Sequence, residues 1–150
     1  MRSKLLPISA FAMSLGFAAH LAAPQLSHGA AAESKQDDRY TLTYTAPAAK
    51  KGESAAATVT VTPKGEWHLN REFPTSLSVT PSTGVAVNKT KLKLQDAKRF
   101  DEHKGLEFQV DYEAKAAGKE KLDGKLKFAI CIETSCSPVT ETFSISIDVK

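Results

Sequence analysis

The chain holds only two cysteines, Cys131 and Cys136, and one tryptophan, Trp67, in its 150 residues. Two cysteines exclude a scaffold held by several disulfides, so the fold must rest on a hydrophobic core. There is no phosphate-cradling P-loop, no GxGxxG dinucleotide pattern, no GxSxG nucleophile elbow and no HExxH pair. The nucleotide-binding, serine-hydrolase and zinc-protease classes therefore lack their machinery. Charge of one sign is not in excess either: 20 basic and 17 acidic side chains leave a formal net charge of +3. Lys and Glu are interspersed, as on an ordinary solvated surface, and give no long-range field for nucleic acid or an anionic membrane. The length suits one domain.

Long apolar runs are missing everywhere except at the start. Arg2 and Lys4 precede an apolar stretch over residues 5–26, broken by Pro7, Gly16, His20 and Pro24, and the small residues Gly29-Ala30-Ala31-Ala32 follow. This is the pattern of a secretory signal peptide over residues 1–32. Cleavage is expected after Ala32, with Ala23 and Ala30 as alternative positions. The rival reading is a retained membrane anchor, which the interruptions and the small-residue end disfavour. The mature chain is then soluble, with the periplasm as its expected location and secretion as the alternative. Its two cysteines meet an oxidising compartment, where nearby thiols are read first as a disulfide.

Residues 33–39 contain no apolar side chain and read as a flexible leader. From Tyr40 onward the hydrophobic period is two. Tyr40, Leu42 and Tyr44 alternate with threonines, as do Ala57, Val59 and Val61; Leu106, Phe108, Val110 and Tyr112 alternate with polar residues. Leu122, Leu126, Phe128 and Ile130 lead into Cys131, and Phe143, Ile145, Ile147 and Val149 close the chain. Turn signals such as Lys51-Gly52, Pro63-Lys64-Gly65, Ala117-Gly118 and Asp123-Gly124 separate the runs. Seven or eight short half-buried strands without a helix predict an all-β, immunoglobulin-like antiparallel β-sandwich over residues 40–150.

Chemistry concentrates in Phe128-Ala129-Ile130-Cys131-Ile132-Glu133-Thr134-Ser135-Cys136-Ser137-Pro138. The four residues between the cysteines suit a tight loop, and a disulfide closing it is sterically reasonable. As a clamp, such a ring contributes roughly 2 kcal/mol by chain entropy, against about 5–15 kcal/mol for a whole domain. An exposed bond in so short a loop is also of the kind that exchange proteins use. Spacing alone leaves both readings open. His68 and His103 remain in the mature chain and would complete a four-ligand metal set with the cysteines. Nothing in the sequence brings the four together, so no metal is expected. The plain reading of Trp67 is core packing.

The same segment resembles a known family. Phe128-Ala129-Ile130-Cys131, then Cys136-Ser137-Pro138, then an alternating last strand ending Asp148-Val149 is similar to the N-terminal periplasmic domain of the thiol:disulfide interchange protein DsbD, which stand-alone relatives also carry. Pro63-Lys64-Gly65-Glu66-Trp67-His68-Leu69-Asn70 and Phe73-Pro74-Thr75 resemble its turn and aromatic strand, so the likeness covers residues 40–149. The resemblance implies an immunoglobulin-like fold and a redox-cycling pair, Cys131 and Cys136, with Cys136 attacking the partner. It implies electrons arriving from thioredoxin-like proteins and passing to oxidised periplasmic proteins, with no bound cofactor. It also implies a cap loop whose phenylalanine shields the pair, for which Phe100 is the candidate. The chain departs from DsbD in having four rather than five residues between the cysteines. It also has no counterpart of DsbD's membrane and thioredoxin-like domains, so the expected reductant is a separate protein. The alternative is a non-enzymatic exported binding module with a structural disulfide, in which Trp67, Phe73 and Phe100 are contact residues.

Overall fold

Alternation of apolar and polar side chains builds the whole molecule, because each strand must hide one face and wet the other. The structure, a computed structural model, describes residues 32–150. The predicted signal segment therefore lies outside the described residues, apart from the exposed Ala32. Eleven strands run β1 (Glu33–Gln36), β2 (Tyr40–Thr45), β3 (Ser54–Pro63), β4 (His68–Leu69), β5 (Ser76–Pro81), β6 (Val85–Val87), β7 (Lys91–Lys93), β8 (Arg99–Asp101), β9 (Gly105–Ala114), β10 (Gly118–Ile132) and β11 (Ser135–Val149). One 3-10 turn, Leu94–Asp96, follows β7.

The strands form two antiparallel sheets. The first has the order β1-β2-β3-β9-β6, with β8 sharing the free side of β9; the second has the order β11-β10-β5-β7, with β4 on β10 beyond the end of β5. The immunoglobulin-like sandwich expected from the alternation is the observed fold. Its interior is Leu42, Val59, Val61 and Phe108 from one sheet against Leu77, Leu122, Leu126, Phe128, Ile130 and Ile145 from the other, all essentially sealed from water. Each such side chain contributes about 1.5–3 kcal/mol on burial. Two aromatic pairs tie the sheets together. Tyr40 meets Phe128 edge-on at 5.0 Å and Tyr44 stacks on Phe143 at 4.8 Å.

Polar clasps close the sandwich at its margins. The Tyr40 hydroxyl donates to Glu141 Oε1 at 2.6 Å, and Lys35 Nζ lies 3.2 Å from Glu141 Oε2. The Tyr112 hydroxyl donates to the Pro47 carbonyl at 2.6 Å. Further along β11, Ala49 bridges Val149 in parallel, its N–H donating to the Asp148 carbonyl at 3.0 Å.

Three differences from the sequence reading have physical causes. The polar stretch read as a leader contains β1, which pairs with β2 from Glu33↔Tyr44 to Gln36↔Thr41. An edge strand needs only backbone partners, so hydropathy cannot reveal it. Asp123-Gly124, read as a turn, lies in the middle of the fifteen-residue β10. Gly124 stands opposite Phe143, and a Cβ there would run into the Phe143 ring. Leu92 and Leu94 alternate with lysines in the sequence, yet only Leu92 is on a strand, β7, and Leu94 opens the 3-10 turn.

Gly105 opens β9 with φ +120°, and a Cβ there would strike the Val61 carbonyl oxygen of β3. Gly105→Ala is expected to cost about 2–3 kcal/mol, read as a lowered urea midpoint at unchanged slope. A second expectation concerns alkali. Burial, reinforced by the Glu141 carboxylate, pushes the Tyr40 phenol well above its usual range, and burial raises Tyr112. The folded state keeps both protons where the unfolded chain gives them up. Stability is then fully present below pH ~10 and falls as pH rises beyond it. Urea midpoints across this range should show the decline, and Tyr40→Phe should make it shallower.

Candidate functional site

The β10–β11 hairpin fixes the position of both cysteines. Pairing runs without a bulge from Gly118↔Val149 to Ile132↔Ser135, and residues 133–134 make the turn. The connection is thus two residues long, and Ile132 and Ser135, expected in a four-residue loop, end β10 and begin β11. Cys131 faces Cys136 directly, with Cα atoms 4.1 Å apart, and the two are joined in a disulfide. That spacing matches a non-hydrogen-bonded antiparallel pair, where side chains approach most closely. Pro138 follows on β11, an edge strand, which tolerates its missing N–H. No cis peptide bond occurs among the described residues.

Odd-numbered positions of this part of β10 face away from the core. Lys125 and Lys127 are exposed there, as the alternation predicts. Cys131 shares their face but is only 2% exposed, whereas Cys136 is open to solvent. The reason is position across the sheet. Cys131 lies on an inner strand, between His68 of β4 and Cys136 of β11. The two sulfurs therefore have unlike surroundings.

A shallow hollow surrounds the bond, lined by His68, Asn70, Arg71, Glu102, Glu133 and the cysteines among others. The segment after β4 supplies much of it. Asn70 N–H donates to the Ala129 carbonyl at 3.1 Å, and Asn70 Nδ2 donates to Cys136 Sγ at 3.7 Å. Leu69 N–H donates to the Glu102 carbonyl at 2.8 Å, tying β4 to the turn between β8 and β9. In that turn the N–H groups of Lys104 and His103 both donate to Asp101 Oδ1 and hold its carboxyl below the usual carboxylate range.

Phe100 does not line the hollow. It lies on β8, half-buried against the core, with the Arg71 guanidinium over its ring at 4.6 Å. Arg71 also pairs with Glu102 at 3.6 Å, and both line the hollow. The expected cap loop is itself a short strand and turn of the first sheet. Trp67 packs half-buried against the core, as its plain reading has it, with the Arg39 guanidinium 5.9 Å from the ring centre.

Sequence reasoning weighed the histidines beside the cysteines but found nothing to bring them together. His68 and His103 come from different sheets, yet their rings are 5.5 Å apart, and His68 is the register partner of Cys131. The alternation around Leu69 held half of this signal: with Leu69 in the core, His68 must face outward with Cys131.

In the reduced protein, iodoacetamide should modify Cys136 at least about tenfold faster than Cys131, because only the exposed thiol is reachable. Peptide mass spectrometry after short exposures measures the ratio; equal rates would contradict the burial.

No family model matches the chain, and no curated protein matches it significantly. The likeness to the DsbD N-terminal domain therefore rests on its own motifs. Solved structures of similar outline do exist. The GAE domain of GGA2p from Saccharomyces cerevisiae is 9% identical, with a TM-score of 0.48 over 76% of this chain and 96% of that one. AggA, the major subunit of aggregative adherence fimbriae type I from Escherichia coli, is 11% identical, with a TM-score of 0.40 over 79% and 99%. The ASH/PapD-like domain of human CEP192 is 17% identical, with a TM-score of 0.35 over 93% and 97%. All three are likenesses of outline at low identity.

Proposed function

We propose that the protein is an exported thiol–disulfide exchange module, passing electrons between a thioredoxin-like donor and oxidised partner proteins through Cys131 and Cys136. The supporting observation is the asymmetry of the bond. Cys136 is exposed on an edge strand, and Cys131 is 2% exposed behind it. Exchange needs one sulfur open to a thiolate and the other free to leave. A donor thiolate attacks Cys136 Sγ; the Cys131–Cys136 bond breaks, and its electron pair stays on Cys131, which takes a proton. The donor's second thiolate then attacks the mixed disulfide and releases Cys136. The donor dithiol has become a disulfide, and the module's disulfide a dithiol. Run forward onto an oxidised partner, Cys136 attacks and Cys131 resolves. Asn70 Nδ2 donates to Cys136 Sγ, the sulfur a partner would reach first. No bound cofactor takes part.

A second reading is favoured by a different observation. The disulfide joins the last cross-strand pair but one before the turn of the longest hairpin, with one sulfur buried. That placement suits a clamp on an immunoglobulin-like binding module whose loops and edges meet other proteins.

Two measurements separate the readings. A Cys131→Ala variant should trap partners as mixed disulfides on Cys136 in a periplasmic extract, and Cys136→Ala should trap far fewer. The reduction potential should fall in the range of exchange proteins, above about −300 mV. A lower potential together with no trapped partner would leave the clamp. Under the clamp reading, Cys131→Ser/Cys136→Ser keeps its biological activity and loses only about 2 kcal/mol of stability.

A further inference from the structure

We propose that reduction of Cys131–Cys136 converts this end of the sandwich into a Cys2His2 site for Zn2+, with Cys131, Cys136, His68 and His103 as ligands. The register places three of the four. His68 pairs with Cys131, and Cys131 pairs with Cys136. Residues directly opposed in antiparallel strands share a face, with Cβ atoms about 4.5–5.5 Å apart. His68, Cys131 and Cys136 thus form one row across β4, β10 and β11.

The fourth ligand comes from the other sheet. The His103 ring, in the turn between β8 and β9, lies with its centre 5.5 Å from that of His68, tilted by 47°. Two imidazoles on one tetrahedral zinc, with Zn–N bonds of about 2.0–2.1 Å, have ring centres roughly 5 Å apart. The pair already stands near that spacing. The hydrogen bond from Leu69 N–H to the Glu102 carbonyl joins the residues next to each histidine, so the two backbones are held in place. The C-x4-C spacing is at the wide end of zinc-knuckle spacings.

Oxidation state is the gate. In the oxidised protein the sulfurs are bonded to each other, and no group of three or more His, Cys, Asp or Glu among the described residues stands ready to hold a metal; reduction must free the sulfurs and let the four donors converge. A dithiol donor passes two electrons and two protons to the disulfide and leaves as its own disulfide. Zn2+ then displaces one proton from each thiol, and each neutral imidazole gives one ring nitrogen, so two protons are released per metal bound. The site requires free thiols but no exchange with protein partners. A disulfide too reducing for exchange would therefore leave this proposal standing.

The test uses the full mature chain, reduced with a phosphine and freed of reductant under nitrogen. Zn2+ is titrated against a chromogenic chelator, and Co2+ binding is followed by absorption. The reduced protein should take up one Zn2+ with Kd below about 1 µM, and the oxidised protein none at that concentration. Co2+ should give thiolate charge-transfer and tetrahedral d–d bands. His68→Ala and His103→Ala should each weaken binding by about tenfold or more, with the strand signal in circular dichroism unchanged, since neither ring is in the core. The proposal is overturned by a reduced protein that binds no Zn2+. It is equally overturned by a His103→Ala variant that binds as tightly as the wild type, or by a reduced chain that loses its strand signal and does not recover it with Zn2+.

Discussion

The pairing of β10 with β11 is the constraint on which the rest depends. It is the longest ladder among the described residues, fifteen residue pairs without a bulge. Its register decides which side chains enter the core. A slip of one residue would turn Leu122, Leu126, Phe128 and Ile130 outward together and bring the lysines in. The core therefore holds the register, and the register holds the sulfurs opposite each other. The disulfide is a consequence of the hairpin before it is a support for it.

The same ladder explains why β4 matters despite having two residues. Leu69 enters the core opposite Ile130, and this forces His68 to stand outside beside Cys131. A buried leucine thus positions a half-buried histidine on the opposite face. On the opposing sheet, Asp101 draws the turn N–H groups of His103 and Lys104 onto its carboxylate and fixes the turn that carries the second ring. Two ordinary folding devices, an alternating strand and an aspartate-capped turn, bring the two rings together.

Much of the fold was legible because hydropathy alternates wherever a strand covers the core: Tyr40, Leu42 and Tyr44, Phe108 and Val110, and Phe143, Ile145, Ile147 and Val149 all point inward as read. What escaped was structure held by backbone bonds alone or by one packing contact. β1 carries no apolar side chain, and Gly124 reads as a turn until the Phe143 ring is placed over it. At the site, the cysteine pair was legible because both partners lie five positions apart. His68 and His103, from opposite sheets, share no local signal, and their approach is a property of the closed sandwich. Phe100 was a candidate through the resemblance alone, and its ring lies half-buried against the core with Arg71 over it.

The chemistry open to the cysteines follows from where the sandwich is thin. A sulfur on an inner strand is covered from both sides, while one on the edge strand is covered from one side only, so a cross-strand disulfide at a sheet margin is asymmetric by construction. That asymmetry gives direction to any attack, since a nucleophile reaches Cys136 and the electron pair can only be left on Cys131. The exposure of Cys136 follows from its place on the edge strand and the cover of Cys131 from its place between two strands, so the same asymmetry serves a clamp on the hairpin end as well as an exchange pair.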